Sequence, residues 1–288
     1  QYVGFAEDSF TPSEFELTPY VKPGENKLAV QVFKWTIGSW CEDQDFYRFS
    51  GLFRSVYLYT IPKVHIWDIK VRPLVAEDLK NAELNLTIRT ALERNEAPQE
   101  GKIKLRLLEI GCQDSAVHET AATAGGECVT GKAVLEKEET LRAQSEFSYS
   151  LAAPKLWSAE EPYLYELELE VYDGTGELLE VTSQRIGFRR FEMKDGLMCL
   201  NGKRIVFKGV NRHEFSCLTG RAVSMEETLT DIVTMKQNNI NAIRTCHYPD
   251  MSKIYELCDE FGLYMIDETN LESHGSWDVA EITKDYTY

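Results

Sequence analysis

Three short stretches in the last third of the sequence concentrate the residue types that do chemistry: Gly209 to Glu214 (GVNRHE), Arg244 to Asp250 (RTCHYPD) and Ile266 to Gly275 (IDETNLESHG). Each follows a short apolar run, at Ile205 to Phe207, Asn241 to Ile243 and Leu263 to Ile266. A pair of carboxylic acids such as Glu268 and Glu272 is what glycosidic hydrolysis uses, one donating a proton while the other attacks or activates water. The alternative is structural, with Asp267 and Glu268 neutralising nearby arginines. Glu272 and His274 are separated by one residue, so in an extended segment they project to the same side and could share one cation. Mg²⁺ takes about six mostly oxygen ligands, so a third protein ligand would have to come from elsewhere. His213 and His247 at run ends can donate to a substrate hydroxyl, or serve equally as satisfied structural histidines. Arg244 reads as an internal charge that orients carboxylates, because a bare buried guanidinium is costly.

These stretches need elements to hold them. Between the runs, Leu229, Ile232, Val233 and Lys236 recur at helical spacing behind a capping box of Ser224 and Glu227. A second helix is expected over Met251–Phe261, started by Pro249 and Asp250, with Ile254, Leu257, Cys258 and Phe261 inward and Gly262 in the left-handed position that ends it. The order β-α-β-α-β with reactive residues at strand ends is that of a (β/α)8 barrel, here fewer than half of one.

The 288 residues, 43% hydrophobic, are enough for two or three domains. A formal net charge of −16 argues against nucleic acid and against an anionic membrane surface as partners. No apolar run approaches the roughly 20 residues that span a bilayer. The opening QYVGFAEDSF has neither an initial Met nor a signal layout, so the compartment, cytoplasmic or periplasmic, is not legible. Seven scattered cysteines without a CxxC pair read as free thiols packed as small apolar groups.

Residues 1–62 read as β-structure, with strand-like runs LAVQVFKW from Leu28 and SVYLYTI from Ser55. That is too little to close a sandwich, and the chain opens in mid-pattern, so the N-terminal strands of this domain are expected upstream. Residues 63–187 carry six alternating apolar and polar runs spaced by turns, the pattern of an immunoglobulin-like β-sandwich. Gly111 to Gly131 reads as a solvated loop, long enough to hide a short strand. Residues 188–288 hold the partial barrel. The aromatic residues Trp35, Trp40, Phe46, Tyr47 and Phe49 either stack on a sugar or belong to a core.

Beyond composition and spacing, EDQDFYRFSGLFRSVYLY (Glu42 to Tyr59), PKLWSAEEPYLYELELEV (Pro154 to Val171) and the series FKGVNRHE, MKQNNINAIRTCHYPD and YMIDETNLESHG closely resemble the large β-galactosidases of glycoside hydrolase family 2. The resemblance covers nearly the whole chain in order. It implies the end of a jelly-roll sugar-binding domain, an immunoglobulin-like β-sandwich, and the first three β/α units of a TIM barrel.

The resemblance assigns roles. Glu272 and His274 match two Mg²⁺ ligands, His213 a histidine that stabilises the galactosyl transition state, His247 one that contacts sugar hydroxyls, and Arg244 an arginine near the nucleophile. Asp45, in EDQD, matches an aspartate that binds both galactose and Na⁺. The segment EDQD and the ExH pair favour galactosides over glucuronides or mannosides. The family's acid/base and nucleophilic glutamates are expected beyond Tyr288, so this chain alone is expected to be inactive and the intact protein to be a retaining β-galactosidase, with Mg²⁺ and Na⁺, a β-galactoside substrate and a homo-oligomeric state. Residues 190–288 are expected to associate, to be partly disordered, or to dock on the sandwich, because the edges of three strands invite pairing. The alternative is a non-catalytic carbohydrate-binding or interaction module built from the same domains.

Overall fold

The computed structural model describes residues 1–91, 101–111 and 131–274. The chain divides into two compact units, one formed by Gln1–Tyr57, Lys208–Tyr255 and the residues from Tyr264, the other by Leu58–Phe207 and Glu256–Leu263.

In the second unit, seven strands make two antiparallel sheets. One has the order β1-β2-β5 (His65–Val75, Asn81–Ala91, Gln144–Ala152), the other β4-β3-β6-β7 (Lys132–Thr140, Lys102–Gly111, Leu164–Tyr172, Leu178–Ile186). Strict alternation explains the layering. In β6, Tyr165, Leu167, Leu169 and Val171 are buried while Glu166, Glu168 and Glu170 lie on the other face. The outer face is used for pairing across strands, since Arg106 of β3 lies in register with Glu168 and Glu166 with Arg185 of β7. Leu84, Leu86 and Ile88 of β2 meet Ile103, Leu105 and Leu107 of β3 in one core cluster. Each fully buried leucine contributes roughly 1.5–3 kcal/mol relative to exposure.

Strand β4 was not among the six runs. It is an edge strand whose apolar residues, Ala133, Val134 and Leu135, are consecutive rather than alternating and are followed by charged ones, so its pattern is weak. Most of the loop read at Gly111 to Gly131 lies outside the described residues. A further antiparallel meander, β8-β9-β10 (Phe191–Lys194, Leu197–Leu200, Lys203–Arg204), turns at Asp195-Gly196 and Asn201-Gly202, four residues with φ between +50° and +75°. Those dipeptides are hairpin signals, because such turns need positive φ at both central positions.

The first unit holds a parallel sheet, β11-β12-β13 (Gly209–Arg212, Ala242–Thr245, Tyr264–Ile266), and α1 (Met225–Gln237), which follows β11 in sequence; α2 (Lys253–Phe261), between β12 and β13 in sequence, falls mostly in the stretch Glu256–Leu263 of the second unit. Three strands leave the sheet open, with no closed barrel among the described residues. The capping box of α1 forms as expected: Ser224 Oγ accepts from the Glu227 amide at 3.1 Å and Glu227 Oε2 accepts from the Ser224 amide at 2.9 Å. Ile232 is fully buried in α1, and Ile254, Leu257 and Cys258 in α2, which ends at Gly262 with φ +73°.

Two placements differ from the sequence reading. The first parallel strand is not the apolar run Ile205 to Phe207 but Gly209–Arg212, while Val206 is exposed. Backbone approach decided this: a Cβ on Gly209 would lie 3.1 Å from the Ala242 Cβ, so glycine lets the ladder close there. Helix α2 starts at Lys253 rather than Met251, and Asp250, expected to start it, is instead buried against Arg212.

The runs from Leu28 and Ser55 form no ladder. Val30, Phe33, Trp35, Tyr57 and Leu58 are exposed, and this segment carries a 3-10 turn at Ile37–Trp40 as its regular element. A strand needs a neighbour to accept and donate half of its backbone bonds, and among the described residues no ladder is assigned to these runs. Cys199, Cys246 and Cys258 are buried free thiols as expected, but Cys41 and Cys217 are exposed, and Cys112 and Cys128 lie outside the described residues. Among the described residues no helix is long and apolar enough to cross a membrane.

Candidate active site

Register explains how the reactive residues meet. Asn211 of β11, Arg244 of β12 and Ile266 of β13 are partners across the parallel sheet and share one face. Glu268, two residues past Ile266, keeps that face. Arg244 donates to Glu268 Oε1 at 2.6 Å and to Asn211 Oδ1 at 3.3 Å. His247 Nδ1 lies 2.9 Å from Glu268 Oε2 and 3.9 Å from Glu272 Oε2. On the opposite face, Thr245 Oγ1 donates to Asp267 Oδ1 at 3.1 Å and accepts from the Glu268 amide at 3.0 Å, which fixes the turn out of β13.

These contacts set the charge state of Glu268. Its partial burial would raise the carboxyl pKa, but hydrogen bonds from His247 and Arg244 outweigh that and hold it below the usual carboxylate range. An acid kept ionised in this way cannot serve as a proton donor near neutrality, so its evident work is to orient Arg244 and His247. Of the two readings of this carboxylate, orientation is the one the geometry favours.

His213 stands beyond β11, with Nδ1 3.2 Å from the Tyr248 hydroxyl and its ring stacked on Phe46 at 4.1 Å and 5° between planes. Burial, then the charges of His247 and Arg221, lower its pKa, so it is a neutral imidazole at pH 7. The rings of His213 and His247 meet edge to face at 5.8 Å. Cys246, between the two elements, is buried, and burial raises its thiol pKa.

The segment around Glu42 is anchored to the loop after β13. The Asp43 amide donates to the Glu272 carbonyl at 2.6 Å, and the Glu272 amide to the Cys41 carbonyl at 2.8 Å. Gln44 donates to Asn270 Oδ1 at 2.6 Å, and Asn270 to Glu42 Oε1 at 2.6 Å. Asp45 itself is exposed, between buried Gln44 and the stacked Phe46 in sequence, with no hydrogen bond or ion pair among the described residues. Of the aromatic residues considered, Phe46 stacks on His213 and Tyr47 on Phe215 at 5.8 Å, while Trp35 and Trp40 are exposed rather than core.

For a divalent cation the fit rests on Glu272 and His274. Glu272 Oε1 and His274 Nδ1 are 3.7 Å apart, a gap that two metal bonds of about 2.0–2.1 Å can bridge, and the Glu272 backbone is fixed from both sides. The donor set is compatible with Mg²⁺, its remaining positions going to water or further oxygens.

Sequence reasoning missed Glu214, Arg54 and Tyr248. Glu214 is buried and receives Arg54 Nη2 at 2.7 Å and the Met251 amide at 2.7 Å, which ties the N-terminal segment to the strand ends. Arg54 also donates to the Phe10 and Pro249 carbonyls. Arg221 lies over Phe10 at 4.6 Å and Tyr248 at 4.4 Å, with Phe46 and Phe49 further out. The signal for Glu214 was its place in NRHE, yet nothing in the sequence says that its partner is Arg54, 160 residues away.

Parallel strands whose C-terminal ends carry an imidazole pair, a guanidinium and carboxylates have the layout of the catalytic face of a (β/α) barrel. Three family profiles match the chain: the glycosyl hydrolases family 2 sugar binding domain over residues 1–62, glycosyl hydrolases family 2 over 64–189, and the glycosyl hydrolases family 2 TIM barrel domain over 191–288. Matched nearly end to end, the chain belongs to glycosyl hydrolase family 2.

Over 277 residues it is 52% identical to the beta-galactosidase of Halalkalibacterium halodurans, a match that covers 96% of this chain and 25% of that protein. It is 44% identical over 282 residues to the beta-galactosidase large subunit of Lactobacillus acidophilus, covering 96% of this chain and 40% of that one. The chain thus spans between a quarter and two-fifths of the length of these relatives. Among solved structures, the apo beta-glucuronidase 3 of Bacteroides uniformis aligns with a TM-score of 0.66 at 29% identity, over 80% of this chain and 26% of that chain. The beta-glucuronidase of Parabacteroides merdae aligns with a TM-score of 0.67 at 25% identity, over 80% and 27%.

Proposed function

We propose that this chain is part of a retaining β-galactosidase that hydrolyses terminal β-D-galactosides. The observation that carries the reading is the gathering of His213, Arg244 and His247 at the C-terminal ends of adjacent parallel strands, beside Glu272 and His274. Galactosides are favoured over glucuronides by the 52% identity to a beta-galactosidase, against 25–29% for the structurally similar beta-glucuronidases.

In this reading His213 and His247 offer their free ring nitrogens to sugar hydroxyls, and Phe46 holds the plane of His213. Arg244, pinned by Glu268, presents its charge where a negative nucleophile would sit. Asp45 contributes to the sugar and to a Na⁺ site, and its exposure leaves its carboxylate free to do so. Glu272 and His274 hold Mg²⁺, which would supply local positive charge and fix the loop that follows β13. The proton donor and the nucleophile are other glutamates, because Glu268 is committed to Arg244 and His247 and Glu272 to the cation; in a retaining enzyme that pair stands about 5–5.5 Å apart. The whole protein is proposed to act as a homo-oligomer.

The test is hydrolysis of a chromogenic β-galactoside and of the matching β-glucuronide, with Mg²⁺ and Na⁺, by these 288 residues and by the product of the complete reading frame. Galactoside turnover confined to the complete product supports the proposal. Turnover by the 288 residues would place the chemistry on residues given other roles here, glucuronide turnover would overturn the substrate class, and no turnover by either would favour a binding module.

A further inference from the structure

We propose that His213, Cys246 and His247 form a binding site for a thiophilic divalent cation of the Zn²⁺ class, separate from the Mg²⁺ position at Glu272 and His274. One ligand atom from each of the three residues lies within 4.8 Å of the other two. Tetrahedral zinc bonds of about 2.3 Å to sulfur and 2.0–2.1 Å to nitrogen put ligand atoms roughly 3.3–3.6 Å apart. Closing from 4.8 Å therefore takes shifts of about an ångström or less from each side chain, within the range of χ1 and χ2 adjustment.

The surroundings of the three residues are those of a supported site. Each imidazole is held through Nδ1, that of His247 near Glu268 Oε2 at 2.9 Å and that of His213 near the Tyr248 hydroxyl at 3.2 Å. A ring that ligates through Nε2 keeps its Nδ1 contact, and a carboxylate behind a ligating histidine orients the ring and raises its basicity. Phe46 clamps the His213 ring by stacking. The Cys246 amide donates to the Arg212 carbonyl at 3.1 Å, so the thiol sits on the rigid end of β12.

Donor chemistry separates this site from the Mg²⁺ position. One thiolate and two imidazoles suit Zn²⁺ or Co²⁺ and not Mg²⁺, which demands oxygen. Three protein ligands leave a fourth position open to water or to an incoming hydroxyl. On the galactoside reading, a cation held here would occupy the hydroxyl-binding face of the histidines and compete with sugar. The site itself depends on geometry alone and stands if that reading fails.

The plain alternative is that Cys246 is a small buried apolar group with two histidines nearby. Co²⁺ titration of the reduced 288-residue chain separates the two, because a cobalt–thiolate bond gives a near-ultraviolet charge-transfer band. The expected result is one equivalent of Co²⁺ bound with that band, displaced by Zn²⁺ and untouched by excess Mg²⁺. Cys246→Ser should abolish the band and weaken Co²⁺ binding at least tenfold, while a variant with serine at Cys41, Cys112, Cys128 and Cys217 should keep both. Should Cys246→Ser fail to fold, Glu268→Gln decides: it should weaken Co²⁺ binding by about 10–100-fold and keep the band. No band at one equivalent, a band that survives Cys246→Ser, loss of the band in the four-serine variant, or unchanged affinity in Glu268→Gln would each overturn the proposal.

Discussion

Arg212→Met isolates the contest between burial and ion pairing at the strand ends. Arg212 donates to Asp250 Oδ2 at 2.6 Å and to Asp231 Oδ2 at 3.0 Å, and the Asp250 side chain is completely buried. Burial pushes the Asp250 carboxyl up to about 6, with the nearby Glu214 charge adding and Arg212 opposing. The pair is therefore a case where desolvation exceeds attraction on the carboxylate side, while Arg212 itself stays firmly protonated.

Without the guanidinium the opposing influence is gone and the carboxyl pKa rises further. A buried charge stripped of its partner costs about 3–5 kcal/mol. The sign of the pH dependence follows from linkage. With the folded pKa of Asp250 above an unfolded value near 3.9, the folded state holds the proton more tightly, so this stability is full below about pH 4 and is lost as pH rises through about 6. Two pKa units correspond to roughly 3 kcal/mol.

In the variant the carboxyl stays protonated to higher pH, so the deficit relative to the parent should be small at pH 5 and grow to about 2–3 kcal/mol at pH 8, two units above the parent's pKa. Hydrogen exchange of the amides in Gly209–Arg212 and Ala242–Thr245, across a urea series at both pH values, reads this unit separately from the sandwich. An equal deficit at pH 5 and pH 8, or less than about 1 kcal/mol at pH 8, would refute the reasoning.

Three further outcomes are expected. Ser224→Ala removes the cap that receives the Glu227 amide and should cost about 1 kcal/mol, read as faster exchange in the first turn of α1; no change there would mean that the cap is idle. Leu167→Ala empties a fully buried position in β6 and should destabilise the sandwich by about 2–5 kcal/mol in urea unfolding followed by the fluorescence of buried Trp157, a loss under about 1 kcal/mol contradicting the packing described. Mg²⁺ titration followed by NMR should shift the His274 ring resonances in the parent and not in Glu272→Gln, and identical titrations of the two would remove Glu272 from the proposed metal position.

Much of this protein was legible because its signals are local. The capping box at Ser224 and Glu227, the left-handed Gly262 and the alternation in β6 depend on a few consecutive residues, and each formed as its pattern predicts. The Asp195-Gly196 and Asn201-Gly202 turns were equally local and could have been found. Where the reading failed, the deciding partner was distant. The apolar run Ile205 to Phe207 resembled a strand, but the ladder formed where Gly209 allows close approach to Ala242. The runs from Leu28 and Ser55 have strand composition, but no ladder is assigned to them among the described residues. Edge strand β4 escaped notice because an edge tolerates charge that a central strand does not.

The sequence by itself determined the family, the sandwich followed by β/α units, and the residue types at the strand ends, because motif and periodicity are properties of neighbouring residues. Tertiary structure decided which of those residues touch. It put Glu268 between Arg244 and His247 and so made it an anion rather than a proton donor, stacked Phe46 on His213, buried Asp250 beside Arg212 and set Cys246 among two histidines. Protonation state, ligand geometry and ion pairing depend on distances of a few ångströms between residues up to some two hundred positions apart, and only the folded chain fixes those.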